Sequence, residues 1–387
     1  MISREVAENL KGGSMIRKMF EEGNRLRALY GAENVFDFSI GNPDMEPPQA
    51  VRDALRELVN EPNVHKYMPN AGFADVRATV AQRESRRSGL ALTESHVVMT
   101  VGAAGGLNTA LKALLDPGDE VVILAPYFVE YIFYIRNYSG VPVIVKTDAA
   151  TFQPDAAAIE AAITPRTKAI ILNTPNNPTG TVYTQETLNA IAAVLQSAAA
   201  KGQHINVLSD EPYASLLYEG QLPSVMAAFA NGIVVNSFSK SHSLPGERIG
   251  YLAVNPNAVQ CEQLMAALAF ANRTLGYVNA PSLFQRVVAR SLDATVDVDE
   301  YRARRDLLHG IITGLGMECL LPAGAFYLFP KAPGGDAAAF AAKAAAYNIL
   351  IVPGSGFGWP GHVRVAYCVD RGVIERSRGA WEKLLKG

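Results

Sequence analysis

The sequence predicts an α/β protein in which a large domain, built on a mainly parallel seven-stranded sheet covered by helices, is joined to a smaller α+β domain. Three observations predict it. Seven short β-branched runs fall between Val97 and Val254, several separated by helix-length segments, and near-continuous apolar strands with crossovers imply a sheet buried on both faces. After Pro281 the texture changes to long helices with a few isolated strands, the pattern of an α+β unit. The 387 residues exceed one typical core, and 49% hydrophobic with 19% charged residues is the balance of a folded globular chain.

Residues 1–45 read as an N-terminal segment packing with the small domain. Ser14 to Tyr30 has helical spacing, with Ile16, Met19, Phe20, Leu26 and Leu29 on one side, and Phe36 to Pro48 reads as a strand running into the loop around Gly41. Residues 46–280 form the large domain. Its strands are expected at Val97–Val101, Val121–Leu124, Val143–Thr147, Lys168–Leu172, Ile205–Ser209, Gly232–Asn236 and Ile249–Val254, with a helix over Thr184 to Lys201. Residues 281–387 form the small domain, with one long charged helix from Leu283 to Leu315, a strand at Ala325–Phe329, an alanine-rich helix, and strand-like runs at Ile349–Val352 and Val363–Tyr367.

Thirty-five Lys and Arg against 37 Asp and Glu give no electrostatic reason to expect nucleic acid or an anionic membrane as partner, so small molecules are the expected partners. Three widely spaced cysteines without a Cys-x-x-Cys pair predict neither a disulfide framework nor a zinc knuckle, and a reducing cytoplasm fits. The six histidines are scattered, so no metal site is expected, and no apolar stretch is long enough to span a bilayer.

Chemistry concentrates at strand ends. Lys240 follows the apolar run Val234-Val235-Asn236-Ser237, just before a turn through Pro245-Gly246 that presents Arg248. Desolvation lowers the pKa of an amine there, making it a nucleophile for a carbonyl cofactor, while Arg248 keeps its charge for an anion. Thr100-Val101-Gly102-Ala103-Ala104-Gly105-Gly106 joins a strand to a helix, and its small residues let the backbone N–H groups of Gly102, Ala103 and Ala104 cup a phosphate. It lacks the Gly-x-Gly-x-x-Gly spacing of a dinucleotide-binding turn. Asp210 ends another strand, either as a buried acid or as a helix cap. Arg364, inside an apolar run, is either an edge-strand surface residue or a bidentate partner for a carboxylate.

Ser237-Phe238-Ser239-Lys240 with Gly246-Glu247-Arg248-Ile249-Gly250, the stretch from Tyr67 to Arg77, Asn173-Thr174-Pro175-Asn176-Asn177-Pro178-Thr179-Gly180, Asp210-Glu211-Pro212-Tyr213 and Val363-Arg364-Val365 together resemble the class I/II aminotransferases, which carry pyridoxal phosphate on fold type I. The resemblance, running from Gly41 to Arg364, implies that Lys240 binds the cofactor covalently and that Ser237 and Arg248 hold its phosphate. By the same resemblance Phe128 stacks on the pyridine ring, Asn177 and Tyr213 share the phenolic oxygen, and Asp210 keeps the ring nitrogen protonated. Gly41 borders the substrate carboxylate, and Arg364 binds it. Tyr67 crosses a homodimer interface to the partner's cofactor phosphate, and Arg273 is close to the position that reads a distal carboxylate. Pro245, Ala104 and Phe128 depart from the commonest family residues at their positions and leave the substrate branch open.

The implied function is transfer of an amino group from an L-amino acid to a 2-oxo acid by a ping-pong cycle, with aspartate and 2-oxoglutarate first and an aromatic or broad specificity as the alternative. The same residues would support a carbon–sulfur β-lyase. A regulator's sensor domain on this fold would carry an appended basic DNA-binding domain, for which the N-terminal segment is too short.

Overall fold

The computed structural model describes residues 2–11 and 15–386. Ser14, where the first long helix was expected to begin, lies outside them, as do the side chains of Ile16, Met19 and Phe20; the helix spans Met15–Tyr30, with Leu26 buried and Leu29 exposed.

A two-residue strand, Phe36–Asp37 (β1), precedes the main sheet. Its seven strands are Val97–Thr100 (β2), Glu120–Ala125 (β3), Val141–Lys146 (β4), Thr167–Asn173 (β5), Asn206–Asp210 (β6), Gly232–Ser237 (β7) and Gly250–Val254 (β8), each within two residues of its expected bounds. The order across the sheet is β2-β8-β7-β6-β5-β3-β4, and β8 runs antiparallel to both neighbours while the other pairs are parallel. Side chains alternate between the faces, as pleating requires. Val121 and Ile123 meet Leu107, Leu111 and Ile135 on one side, and Val122 and Leu124 meet Ile159, Leu188 and Ile191 on the other. Strands buried on both faces in this way have no polar face to show, which is why they read as unbroken apolar runs. Only β4, at the edge, exposes Val141 and Ile144.

The expected single helix from Leu283 to Leu315 is two, Ser282–Arg290 and Val298–Gly314. Asp297 ends the break by accepting the N–H of Glu300 as an N-cap, and the intervening backbone is spent on other partners: Ser291 O accepts His242 Nε2 at 2.9 Å, and Val296 N donates to Ser241 O at 2.8 Å. Charge periodicity alone carries no signal of those contacts. The first helix packs with Val51, Ala54, Val97 and Tyr251 beside the large sheet, whereas Val296 and Tyr301 join a second core, so the change of packing partner falls between Leu292 and Val296 rather than at Pro281.

That second core holds Trp381, Tyr301, Phe326, Tyr367 and Phe38. It lies around the three-stranded antiparallel sheet β11-β12-β9, formed by Tyr327–Leu328 (β9), Val352–Pro353 (β11) and Val363–Ala366 (β12); Ile349–Leu350 (β10) pairs with β1 in parallel. Phe38 lies 6.2 Å from Trp381, so the N-terminal strand is stitched into the C-terminal core. Among the described residues no helix is long and apolar enough to cross a membrane.

Candidate active site

Where parallel strands end, their last side chains and the helices that follow converge on one side of the sheet. Here a cavity of about 280 Å³ opens at that edge. Of the residues singled out in the sequence, Gly41, Ala103, Ala104, Phe128, Asn177, Asp210, Tyr213, Ser237, Lys240, Arg248 and Arg364 line it. Gly102 stands just behind: with φ of +69°, its backbone is one that glycine adopts without strain, and a Cβ there would lie 3.0 Å from the Arg248 guanidinium. Tyr67 and Arg273 do not reach the cavity of their own chain. Tyr67 is 91% exposed, and Arg273, on the helix Cys261–Thr274, lies over the Phe270 ring at 5.1 Å.

Lys240 Nζ donates to Gly41 O at 2.9 Å. Burial pulls its amine down to about 8, with Arg248 and Arg364 adding repulsion and Cys368 opposing them, so roughly a tenth to a fifth is neutral near physiological pH, far more than for an ordinary lysine. Asp210, at the end of β6, is buried, and burial lifts its carboxyl to about 7, with the Tyr131 hydrogen bond opposing. Its Oδ2 accepts Tyr131 Oη at 2.5 Å, yet Oδ1 has no partner in the protein, a buried acceptor at a cavity wall. Such an atom needs a donor to be stable.

The loop after β5 is fixed from within. Asn173 Nδ2 donates to Asp210 O at 2.8 Å and its Oδ1 accepts Asn177 N at 2.7 Å, which ties the Asn177 loop to the end of β6. Arg364, in the middle of β12, donates from Nη1 to Asn177 Oδ1 at 3.2 Å and from Nη2 to Ser39 O at 2.7 Å, lies over the Tyr327 and Phe357 rings, and keeps Nε partnerless. A buried guanidinium with a free donor awaits an anion. Tyr213 Oη and Tyr327 Oη are 2.9 Å apart, and burial pushes the Tyr213 phenol well above its usual range, so it stays protonated. At the other end of the cavity, Ser237 and Arg248 face the first turn of the helix Gly102–Leu114, where free N–H groups and the dipole favour an anion. Arg248 holds φ of +51°, a left-handed backbone that costs an arginine about 1 kcal/mol and aims its side chain at Gly102.

Sequence reasoning assigned no role to Tyr131, Tyr134, Tyr327 and Asn173. The last three line the cavity, and Tyr131 lies behind Asp210. Tyr131 and Tyr134 sit in Tyr131-Ile132-Phe133-Tyr134, an aromatic stretch that reads as core, and only the fold brings it to the end of β6. Tyr327 had one available signal, its place beside Phe326 in an apolar run ahead of the strand that carries Arg364.

The orphan Asp210 Oδ1, the lysine with its lowered pKa, the anion cradle at the helix Gly102–Leu114 and the free Arg364 Nε fit a flat aldehyde with a basic ring nitrogen and a phosphate arm, bound together with a carboxylate-bearing substrate. On a mainly parallel seven-stranded sheet with an appended smaller sheet, they define a pyridoxal-phosphate enzyme of fold type I. The chain belongs to the aminotransferase class I and II family, which it matches over residues 33–379, and it is a pyridoxal-phosphate-dependent aminotransferase.

Its relatives agree. It is 38% identical over 351 residues to a probable aspartate/prephenate aminotransferase of Thermus aquaticus, covering 88% of each chain. It is 35% identical to the aspartate/prephenate aminotransferase of Thermus thermophilus, covering 90% of each. Among solved structures, an aminotransferase from Eubacterium rectale superposes with a TM-score of 0.96 at 41% identity, covering 100% of this chain and 99% of that one. The Thermus thermophilus aspartate aminotransferase with maleate superposes at 0.89 with 31% identity, covering 99% of both.

Proposed function

We propose that this enzyme moves the amino group of an L-amino acid to a 2-oxo acid in a two-stage cycle, with L-aspartate as donor and 2-oxoglutarate as acceptor. The observation that carries the reading is the meeting, in one cavity, of a lysine held near neutrality with two partnerless buried groups, Asp210 Oδ1 and Arg364 Nε. Pyridoxal phosphate supplies an electron sink for the pair of electrons left when the substrate Cα–H bond breaks. The chain does the rest. Lys240 would hold the cofactor covalently, and its amine, when free and neutral, would take the α-proton as a base and return it at the imine carbon. Asp210 would hold the ring nitrogen protonated, while Asn177 and Tyr213 would donate to the phenolic oxygen and Phe128 would pack on the ring. Ser237, Arg248 and the N–H groups at Gly102, Ala103 and Ala104 would hold the phosphate. Arg364 would bind the α-carboxylate beside Gly41.

Aspartate is favoured by the names of the relatives in Thermus. Side-chain selection is assigned to Arg273 acting across a homodimer, since it is exposed in its own chain. Tyr67, likewise exposed, would reach the partner's phosphate. A bidentate arginine–carboxylate contact in a closed site is worth about 2–5 kcal/mol, enough to separate dicarboxylic from neutral donors. A second reading, aromatic donors, is favoured by the aromatic walls of the cavity, Phe128, Tyr134 and Tyr327. Rapid-mixing absorbance of the holoenzyme against single amino acids tests the assignment: conversion fastest with aspartate supports it, and conversion with phenylalanine alone selects the second reading. Pyruvate and ammonia released without any 2-oxo acid would instead mark a lyase. We place the enzyme in the cytoplasm as a soluble dimer on the same reading.

A further inference from the structure

Behind the cavity, one tyrosine touches two of the groups assigned above. Tyr131 opens the helix Tyr131–Arg136, three residues past Phe128, and is 2% exposed. Its Oη donates to Asp210 Oδ2 at 2.5 Å, and its ring meets Phe128 edge to face, with centroids 5.6 Å apart at 83°. It does not line the cavity, and the other oxygen of that carboxylate, Asp210 Oδ1, is left without a protein partner.

We propose that Tyr131 is a positioning residue for Asp210: by donating to the outer carboxylate oxygen it keeps the acid anionic and turns the inner oxygen toward the ring nitrogen of bound pyridoxal phosphate, so that the nitrogen keeps the shared proton. The inference rests on the assignment of Asp210 to that nitrogen. A hydroxyl donated to a carboxylate stabilises its charged form, and such charge-assisted bonds are short and strong. Burial works against it, lifting the Asp210 carboxyl, and the neighbouring Glu211 adds to the lift. The phenol is no competing acid, because burial and the Asp210 charge push it far above its ordinary range. Without Tyr131 that opposition to burial is lost, the carboxylate's proton affinity rises further, and the shared proton shifts from the ring nitrogen toward Asp210. The edge contact with Phe128 makes the same residue a backstop for the aromatic plate on the cavity wall.

Holoenzyme reconstituted with pyridoxal phosphate labelled with ¹⁵N at the ring nitrogen separates the protonated from the neutral form by nuclear magnetic resonance. In the native enzyme the signal is expected at the protonated position. Tyr131→Phe is expected to move it toward the neutral position and to weaken cofactor binding about tenfold, the size of one lost charged hydrogen bond. On an Asp210→Asn background, Tyr131→Phe adds no further shift. Tyr131→His, which returns an N–H donor on a smaller ring, moves the signal back toward the protonated position. An unshifted signal in Tyr131→Phe, or an equal extra loss of affinity on the Asp210→Asn background, overturns the proposal. If Tyr131→Phe does not fold, Tyr131→His decides: a neutral nitrogen in that variant overturns it as well. Should Asp210→Asn itself leave the signal unmoved, the assignment of Asp210 falls, a result separable from failure of Tyr131 alone.

Discussion

At Lys240 burial holds the amine well below the ordinary lysine range. Because its amine is pulled down to about 8, reconstitution of the apoenzyme with pyridoxal phosphate should reach half its maximal rate near pH 8, not near 10.5, followed by absorbance. Borohydride reduction of the holoenzyme should place the label on the Lys240 peptide, and Lys240→Ala should abolish turnover; label on another lysine contradicts the assignment. Asp210 shows the opposite sign. Its carboxyl is raised from 3.8 to about 7, so the folded apoenzyme binds more protons than the unfolded chain, and the charged side chain costs increasing stability as pH rises from about 4 through 7. Apo Asp210→Asn should therefore melt above the native apoenzyme at pH 8, with the gap closing toward pH 4; a gap that does not change with pH contradicts the assigned burial cost.

The elements matter through the loop they grip. Carbonyls of Phe38, Ser39, Ile40 and Gly41 accept in turn from Ala366 N, Arg364 Nη2, Cys368 Sγ and Lys240 Nζ, while Ser243 Oγ donates to Met45 O. Arg304, on the helix Val298–Gly314, closes the loop's far end with two bonds to Asp44, at 2.8 and 2.7 Å. Arg304→Met should raise KM for the amino acid several-fold with a smaller loss of kcat, a cost of about 1–3 kcal/mol spread over a partly exposed pair. Gly41 has no room for a side chain, since a Cβ would lie 2.0 Å from Tyr327 Oη. Gly41→Ala should displace Tyr327, with it the Tyr213 contact, and lower kcat/KM at least tenfold. Adding Tyr327→Phe, which removes the closest atom, should return part of that loss; no recovery would mean that the clash is borne elsewhere.

For the whole molecule the expectation is a shared site. Sedimentation should give twice the mass of the 41.5 kDa chain. Mixing inactive Lys240→Ala with a weakened Tyr67→Phe form should create hybrids in which one site has both native residues, so activity should rise above that of either parent once subunits exchange. No rise after demonstrated exchange places Tyr67 outside the neighbouring site. In the same dimer, Arg273→Leu should lower the ratio of kcat/KM for aspartate to that for phenylalanine by at least tenfold, the size of one lost ion-paired contact.

The sequence by itself determined the layers of the large sheet, because strands buried on both faces must be apolar throughout, and it marked Lys240 and Asp210 at strand ends, Arg364 inside an apolar run and Arg248 just past a turn as residues to watch, with Asn177 marked by the resemblance of its loop to the family's Asn-Pro-Thr-Gly loop. Tertiary structure decided what surrounds them. The break at Ser291–Asp297 is made by His242 and Ser241, about fifty residues earlier in the chain, and no local periodicity records such a partner. Tyr131 and Tyr327 look like core aromatics because they are buried; their hydroxyls acquire meaning only when the fold sets them against Asp210 and Tyr213. Arg273 and Tyr67 were legible as candidates, but both are exposed and neither lines the cavity of its own chain. Spacing along a chain encodes which face a side chain takes; the distance between two hydroxyls on different elements is fixed only by packing.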